Sequence, residues 1–437
     1  MKRVGHHSSP KGCIKGCLHA LRTSRFFLAV YSVVGGSFIA QVLNFAFQPI
    51  VSRLYSVEQF GEYTVYTTVL SVGYILITLA YDQAVIAAKD RTEAQRLLFG
   101  TVYLSAILSA LFALFCILCR TQVLAWMKLD DCDWLLLLPL NMFLLSCYNM
   151  VSSYNCILEK YRSIGVAACI RSGVMGLGQI ALFYIGAGTS GLPLGRILAL
   201  IACSCALVHH FLSSGISLEN TRLRAVLSAM KENYQFPLFQ MPASFVSNFM
   251  DMIITFSILA LYSQAELGLY SRVAQTLSVP MSLIASSLRQ VSILEFGKIQ
   301  DDAAATNTFL NKFCFGSSIL IILPMTVLFF FGEALFVFVF GKNWVGIGPY
   351  ISLLVPLYSA NFVSYAMSGA AVFKKKQSTL LLFQIWMMVT TFAVYLLSKL
   401  YRISIFSFLF FFSISLSAIY IVQIITLYRM VHINRED

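Results

Sequence analysis

Long apolar runs, broken by short polar or Pro/Gly-containing segments, recur along the whole chain. A membrane-spanning α-helix needs about 20 apolar residues, and each run has about that length. The pattern predicts twelve spans, at residues 26–50, 63–86, 97–119, 134–157, 164–186, 191–214, 236–260, 268–296, 313–333, 347–371, 378–398 and 404–428. Since these spans take up most of the 437 residues, only short connections remain between them.

The amino-acid composition supports this prediction and excludes other classes of protein. Hydrophobic residues make up 58% of the chain and charged residues only 11%. Soluble domains carry about 25% charged residues, so this chain has too few charged residues to cover the surface of such a domain. The composition therefore excludes a soluble enzyme, a secreted disulfide scaffold and a disordered binder. It predicts an all-α polytopic membrane protein.

The net charge of +12 comes from 31 Lys and Arg against 19 Asp and Glu. Most of the basic residues lie in the predicted connections on one side of the membrane, together with both termini. Short cytoplasmic connections carry the excess of Lys and Arg in membrane proteins. We therefore expect both termini to be cytoplasmic. The orientation of the protein in the membrane then explains the positive charge, and no nucleic-acid partner is needed to explain it.

Two halves of the chain are similar at an offset of 207 residues. Segment 54–63 recurs as segment 261–270, with Leu-Tyr-Ser at the start and Gly-x-Tyr at the end of both copies. The same offset carries the Leu-Ser-Val of 70–72 onto that of 277–279. Each copy joins the first two spans of a six-span set, so both sets enter the membrane from the same side. This predicts two parallel, pseudo-symmetric six-helix bundles around a central cavity, which is a transporter architecture.

The expected organisation divides the chain into five parts. These are a basic cytoplasmic tail (1–25), an N-terminal bundle (26–214), a cytoplasmic linker (215–235), a C-terminal bundle (236–428) and a cytoplasmic tail (429–437). The N-terminal tail contains histidines and the Cys13/Cys17 pair, but no second Cys pair completes a zinc site. We expect no metal site.

Each half carries a polar trio in its first span: Gln41, Asn44 and Gln48 in one half, and Asn248, Asp251 and Thr255 in the other. Spacings of three and four residues place each trio on one helical face. Such a face either points into a cavity or joins helices through hydrogen bonds. Asp251 is a special case, because an acid in mid-span must be protonated, paired or hydrated.

Other charged side chains also fall within predicted spans. The offset maps Asp82 onto Arg289, so these two residues could form a salt bridge between the halves, either static or broken during transport. Arg171, Arg196 and Arg272 also lie within spans, and a guanidinium can bind phosphate in a bidentate manner. Arg196 and Arg272 lie near span ends, where snorkelling to the interface is the simpler expectation. Arg171 and Arg289 lie deeper.

Two segments resemble Wzx-type polysaccharide flippases of the multidrug/oligosaccharidyl-lipid/polysaccharide exporter superfamily. Residues 49–56 read Pro-Ile-x-x-Arg-Leu-Tyr-Ser, residues 58–63 read acidic-x-Phe-Gly-x-Tyr, and a Tyr-acid-x-Ala sequence follows at 81–84. Residues 338–377 are similar to the family's Phe-Gly-x-x-Trp and basic-Gln region. The chain departs from the pattern at Asp82, where the family often has Glu.

The resemblance implies a flippase that moves an undecaprenyl-diphosphate-linked oligosaccharide, such as an O-antigen repeat unit, from the cytoplasmic to the periplasmic leaflet of a bacterial inner membrane. It implies alternating access, no cofactor, and an H⁺ or Na⁺ gradient as the energy source. The expected partners are the lipid-linked oligosaccharide, the bilayer and other polysaccharide assembly proteins, with the chain as a monomer.

The hypothesis assigns the diphosphate and the sugars to six polar side chains: Arg289, Arg171, Arg272, Arg53, Asn44 and Asn248. Arg53 lies at the outer mouth of the expected cavity, where it would assist release or fix the turn. The coupling acid is Asp251 or Asp82, since a buried carboxylate can exchange a proton with either side.

Two other functions stay open at this point. A cation-coupled multidrug exporter of the same superfamily would need deep acids for cationic drugs, and deep arginines outnumber deep acids here. A membrane-embedded glycan polymerase or transferase would need catalytic residues in a long outer loop. The chain has no Walker A or Gly-x-Ser-x-Gly motif and no zinc spacing, and its longest predicted outer connection is only 120–133.

Overall fold

The computed structural model describes residues 25–126, 133–212, 222–299, 303–374 and 376–431. The helices of the N-terminal half are α1 (Arg25–Leu54), α2 (Val57–Thr78), α3 (Tyr81–Ala87), α4 (Arg91–Leu118), α5 (Arg120–Trp126), α6 (Leu137–Ile157), α7 (Tyr161–Ile185) and α8 (Gly191–Leu212). The linker holds α9 (Leu223–Glu232). The C-terminal half contains α10 (Met241–Leu261), α11 (Gln264–Ile299), α12 (Ala303–Phe340), α13 (Gly348–Met367), α14 (Gly369–Phe373), α15 (Gln377–Tyr401) and α16 (Ile405–Val431).

All twelve predicted spans coincide with helices, and the predicted fold class is confirmed. Within the described residues, ten helical segments are long and apolar enough to cross a membrane, and the bent pair α2 and α3 makes an eleventh. The 30-residue helix α1 occupies the remaining predicted span. The chain is a multi-pass membrane protein.

The second span is broken, which the hydrophobic pattern did not predict. The axes of α2 and α3 differ by 59°. At the break, Leu79 and Ala80 adopt left-handed backbone conformations with φ of 48° and 59°. Non-glycine residues rarely take such angles, so the break stores local strain. It places Asp82 in the first turn of a separate short helix.

Connections define two faces of the molecule. We call the face reached after α3, α6, α8, α11 and α14 the basic face, and the face reached after α1, α4, α7, α10, α12 and α15 the opposite face. In the N-terminal half α1 packs along α7, α7 along α8, and α6 against α2, α4 and α8. In the C-terminal half α13 packs against α11, α12 and α16, and α15 joins α10 to α16.

Hydrophobic packing joins the halves mainly towards the opposite face. One cluster of buried side chains fills the C-terminal half and extends into the N-terminal half through residues such as Val51, Tyr55 and Phe60. Near the basic face, the N-terminal half has a separate cluster that includes Tyr81 and Leu97. Helix α2 contacts both α10 and α11 across the boundary between the halves.

A close approach between the backbones of the two halves follows the internal repeat. A Cβ built on Gly61 of α2 would overlap the carbonyl oxygen of Gln264, at the start of α11. A Cβ built on Gly268 of α11 would overlap the carbonyl oxygen of Val57, at the start of α2. Gly61 and Gly268 are separated by 207 residues, and so are Val57 and Gln264. The two contacts are therefore exchanged by a local pseudo-two-fold axis, as a parallel repeat requires.

We expect Gly61→Ala to destabilise the protein by about 1–3 kcal/mol, the usual cost of overpacking a close contact. The added methyl group meets backbone, which cannot rotate away as a flexible side chain can. The measurement is the thermal unfolding temperature of purified protein in detergent. The matched control is Gly316→Ala in α12, where a new Cβ has open space. Equal unfolding temperatures for the two variants would contradict the proposed backbone contact.

Candidate functional site

A cavity of about 590 Å³ lies between the two halves. Helices α1, α2, α7 and α8 line it from the N-terminal half, and α10, α11, α13 and α16 line it from the C-terminal half. We call it the central cavity. Both halves contribute to its wall, so any rigid-body movement of one half against the other must change its shape.

The wall of the central cavity is rich in neutral hydrogen-bonding groups. Seventeen of its thirty lining side chains carry a hydroxyl or an amide, such as Asn44, Thr64, Gln275 and Asn361. Four of the seventeen are tyrosines, which also present aromatic faces: Tyr63, Tyr270, Tyr358 and Tyr420. The charged lining residues are Arg196, Asp251 and Arg272. This lining suits a large ligand with many hydroxyl groups.

The structure brings together several of the residues singled out from the sequence. Asn44, Asn248, Asp251 and Arg272 all line the central cavity. The polar faces of α1 and α10 therefore turn inward. Within the cavity wall, the Thr255 hydroxyl of α10 lies 3.3 Å from the Thr68 hydroxyl of α2 and shares a hydrogen bond with it across the halves.

Arg272 does not snorkel to the interface, so that expectation is wrong. Its side chain is only 2% exposed. Arg272 lies eight residues, or about 12 Å, beyond the start of α11, and aromatic side chains close over it. Its Nη1 donates a hydrogen bond to the side-chain oxygen of Gln48, while Nε and Nη2 are buried without a hydrogen-bond partner.

Aromatic rings from both halves surround this guanidinium. The Cζ atom of Arg272 lies 4.0 Å from the ring centroid of Phe60, 4.9 Å from that of Trp344 and 5.3 Å from that of Phe340. Phe60 and Gln48 belong to the N-terminal half, and the other groups belong to the C-terminal half. We call this set the arginine cage. Cation–π contacts strengthen on desolvation, so the cage attaches one half to the other.

Hydrogen bonds beside the cage seal the same end of the cavity. The indole Nε1 of Trp344 donates to the carbonyl oxygen of Ser52 at 3.0 Å. The guanidinium of Arg53 donates to the carbonyl oxygen of Phe338 at 2.8 Å. Gly341, at φ 105°, lets the chain turn against Arg53, whose Cγ would be 2.8 Å from an added Cβ. Arg53 thus lies near the opposite-face end of α1 and joins it to the end of α12 through this hydrogen bond.

Asp82 and Arg289 lie outside the lining of the central cavity. Asp82 accepts a hydrogen bond of 2.9 Å from the hydroxyl of Tyr74, in its own half. The guanidinium of Arg289 lies 5.7 Å from the ring centroid of Tyr365, with Nε buried and unpaired. No ion pair joins Asp82 to Arg289 among the described residues. The predicted salt bridge between the halves is therefore not formed in this structure.

Arg171 occupies a second, smaller cavity within the N-terminal half, of about 290 Å³. Arg196 lines both cavities and was not assigned to the site from the sequence. Its position near a span end led to the expectation that it snorkels to the membrane interface. The pattern of a single helix does not show which neighbours surround a side chain, so the two cavities could not be predicted. The cavity tyrosines were missed for a similar reason, since tyrosine in a span is also typical of the membrane interface.

A family model described as polysaccharide biosynthesis protein matches residues 50–349. This is well over half of the chain. A comparison with curated protein sequences finds no match.

Solved structures show the same fold at low sequence identity. The lipid II flippase MurJ, in an inward closed conformation, superposes with a TM-score of 0.70 at 11% identity, over 92% of this chain and 89% of that chain. An inward-facing multidrug resistance MATE family transporter of the MOP superfamily gives 0.66 at 13% identity, over 90% and 93%. A MOP superfamily transporter from Pyrococcus furiosus gives 0.60 at 12% identity, over 94% and 97%.

We expect Arg272→Ala to let the halves separate at the opposite face. Each cation–π contact is worth about 0.5–2 kcal/mol, so losing several shifts a two-state equilibrium by about tenfold or more. The measurement is the electron–electron distance between spin labels at Ile185 and Leu400, which are exposed at the opposite-face ends of α7 and α15. A cysteine-depleted background carries the labels.

The matched control for this experiment is Arg162→Ala, which removes an exposed arginine at the basic-face start of α7. Longer distances for Arg272→Ala alone would support the role of the cage. Unchanged distance distributions in both variants would show that the cage does not hold the halves together.

Proposed function

Because the chain belongs to the polysaccharide biosynthesis protein family, we propose that it is a flippase for an undecaprenyl-diphosphate-linked oligosaccharide. The observation that supports this most strongly is the chemistry of the central cavity. Its neutral hydroxyl and amide lining offers both donors and acceptors, as recognition of sugar hydroxyls requires. The tyrosine rings add flat apolar surface on which a sugar ring can rest.

The charged groups of the cavity favour an anionic substrate over a cationic drug. Arg196 and Arg272 line the cavity, against the single carboxylate of Asp251. Arginine binds phosphate oxygens with parallel hydrogen bonds, and the two unpaired nitrogens of Arg272 are suited to such a ligand. The remaining proposed contacts are Arg171 to the diphosphate, and Asn44 and Asn248 to the sugars. Arg289 lies outside the lining of both cavities, so its proposed contact with the diphosphate requires another conformation. Arg53 borders the exit.

The contacts between the halves support the proposal that transport occurs by alternating access. The basic residues of the connections favour a cytoplasmic location for the basic face, in a bacterial inner membrane. The arginine cage and the glycine crossing then close the periplasmic end of the cavity, and substrate enters from the cytoplasmic side. Release requires Phe60 to part from Trp344, since their rings, 5.4 Å apart, belong to different halves.

Asp251 is the proposed coupling acid. It faces the central cavity from α10, within reach of water and of an ion from either side once the halves move. Asp82, the alternative coupling acid, accepts a hydrogen bond from Tyr74 and lies outside the cavity lining. An H⁺ or Na⁺ gradient would supply the energy, and no cofactor is required by this scheme.

Purified protein in liposomes should make a fluorescent undecaprenyl-diphosphate-linked oligosaccharide accessible to a membrane-impermeant quencher. In protein-free liposomes the inner-leaflet fraction should stay protected, because a polar head group crosses lipid very slowly. Protein should remove that protection over time. Unchanged protection, combined with export of a cationic dye, would overturn the proposal in favour of a drug exporter. Growth of the glycan would instead indicate a polymerase.

We expect Asp251→Asn to abolish the response of transport to a proton or sodium gradient. For one proton per substrate, a gradient of one pH unit shifts the equilibrium distribution between leaflets by about tenfold. The wild-type protein should show that shift and the variant should show none, while both equilibrate substrate without a gradient. Asp82→Asn is the matched comparison. A gradient response lost in Asp82→Asn and kept in Asp251→Asn would reverse the assignment.

A further inference from the structure

The second cavity, which we call the side cavity, adjoins the central cavity in the N-terminal half. Its wall comes from α1, α6, α7 and α8, with Leu283 of α11 at one edge. Asn44, Met175 and Arg196 line both cavities. The two cavities therefore lie on either side of these three side chains, and one ligand with two polar parts could contact both.

The side cavity is positively charged and has no internal counter-ion. Arg171 and Arg196 line it, and none of its lining residues is acidic. Among the described residues, neither guanidinium has an Asp or Glu within ion-pair distance. Both arginines are half-buried, and two like charges that line one cavity repel each other. An anion that binds between them would relieve this repulsion.

The rest of the wall suits a small anion better than a sugar. The Arg171 guanidinium lies 5.1 Å from the ring centroid of Tyr148, which holds one of its faces and leaves its N–H edge for a ligand. Gln41, Asn44 and Ser172 add hydrogen-bonding groups. The other lining side chains include Ala40, Ala168, Ala199, Leu145 and Leu200, which keep the surroundings apolar and strengthen charge-assisted hydrogen bonds.

We infer that the side cavity is a phosphate-binding subsite that receives the diphosphate of the lipid-linked substrate while its sugars occupy the central cavity. This inference rests on the proposed function. It assigns Arg196 to substrate binding, and it separates the anion on the N-terminal wall from Asp251 on the C-terminal wall. Arg272 stays enclosed in its cage in this arrangement and becomes available only when the halves part. Arg171 and Arg196 therefore bind the diphosphate first and Arg272 binds it later.

Titration calorimetry on protein in phosphatidylcholine nanodiscs tests the subsite directly. The probes are inorganic pyrophosphate and farnesyl diphosphate. Because a charge-assisted hydrogen bond contributes strongly to affinity, we expect Arg171→Gln and Arg196→Gln each to weaken binding of both probes by about tenfold or more. Arg171→Lys keeps the charge but loses the bidentate geometry, so it should give an intermediate affinity. The unfolding temperature without ligand checks that each variant is folded.

Arg162→Gln is the matched control, because it removes an exposed arginine from the basic-face end of the same helix as Arg171. Its affinity for both probes should equal that of the wild type. Wild-type affinity in the Arg171 and Arg196 variants, with loss in Arg272→Gln, would overturn the subsite and place the anion in the central cavity. Equal weakening in Arg162→Gln would also overturn it, as a nonspecific charge effect.

Two further arms identify the source of the phosphate. If phosphatidylglycerol in the nanodiscs displaces pyrophosphate while farnesyl diphosphate does not, the cavity binds a phospholipid head group and the substrate assignment is wrong. Displacement by farnesyl diphosphate alone supports the assignment. Failure of the liposome assay, with arginine-dependent pyrophosphate binding intact, would overturn the proposed function while supporting the anion site.

Discussion

The crossing of α2 and α11 at Gly61 and Gly268 is the contact on which the arrangement of the two halves depends. Each glycine lets its helix touch the backbone at the start of the other helix. Helices in lipid gain little from hydrophobic association, so close backbone packing at small residues is a main source of their attraction. The same crossing brings Phe60 over Arg272 and allows Trp344 to reach Ser52. Without it, neither the cage nor a closed end of the cavity could form.

The cost of placing a charged side chain within a membrane explains why the candidate site contains so few charged residues. A charged group in hydrocarbon is costly, so each must be paired, hydrated or covered by polarisable groups. Arg272 is covered by aromatic rings, and Asp251 faces the polar cavity. Arg171 and Arg196 line the side cavity among neutral polar and apolar groups, with no acidic side chain in its lining. This contrast is why the proposed anion site is placed in the side cavity.

Predictions of which side chains share a helical face were confirmed, whereas two predictions about the surroundings of single charged side chains were wrong: snorkelling of Arg272 and pairing of Asp82 with Arg289. The polar trios of α1 and α10 turned inward, because helical spacing alone determines which side chains share a face. The pairing of Asp82 with Arg289 did not form, although the repeat places them at equivalent positions. Pseudo-symmetry relates positions between halves, but it does not state which positions meet in a given conformation.

The sequence by itself determined the twelve spans, the parallel repeat and the low proportion of charged residues. It also determined which charged residues fall within the spans. These follow from local chemistry, since bilayer thickness sets span length and helical geometry sets spacing. The tertiary structure alone decided that Arg272 is enclosed, that Arg196 joins two cavities and that Arg289 lies outside the central one. Those outcomes depend on contacts between residues far apart in the chain, such as Gln48 with Arg272, which no local pattern encodes.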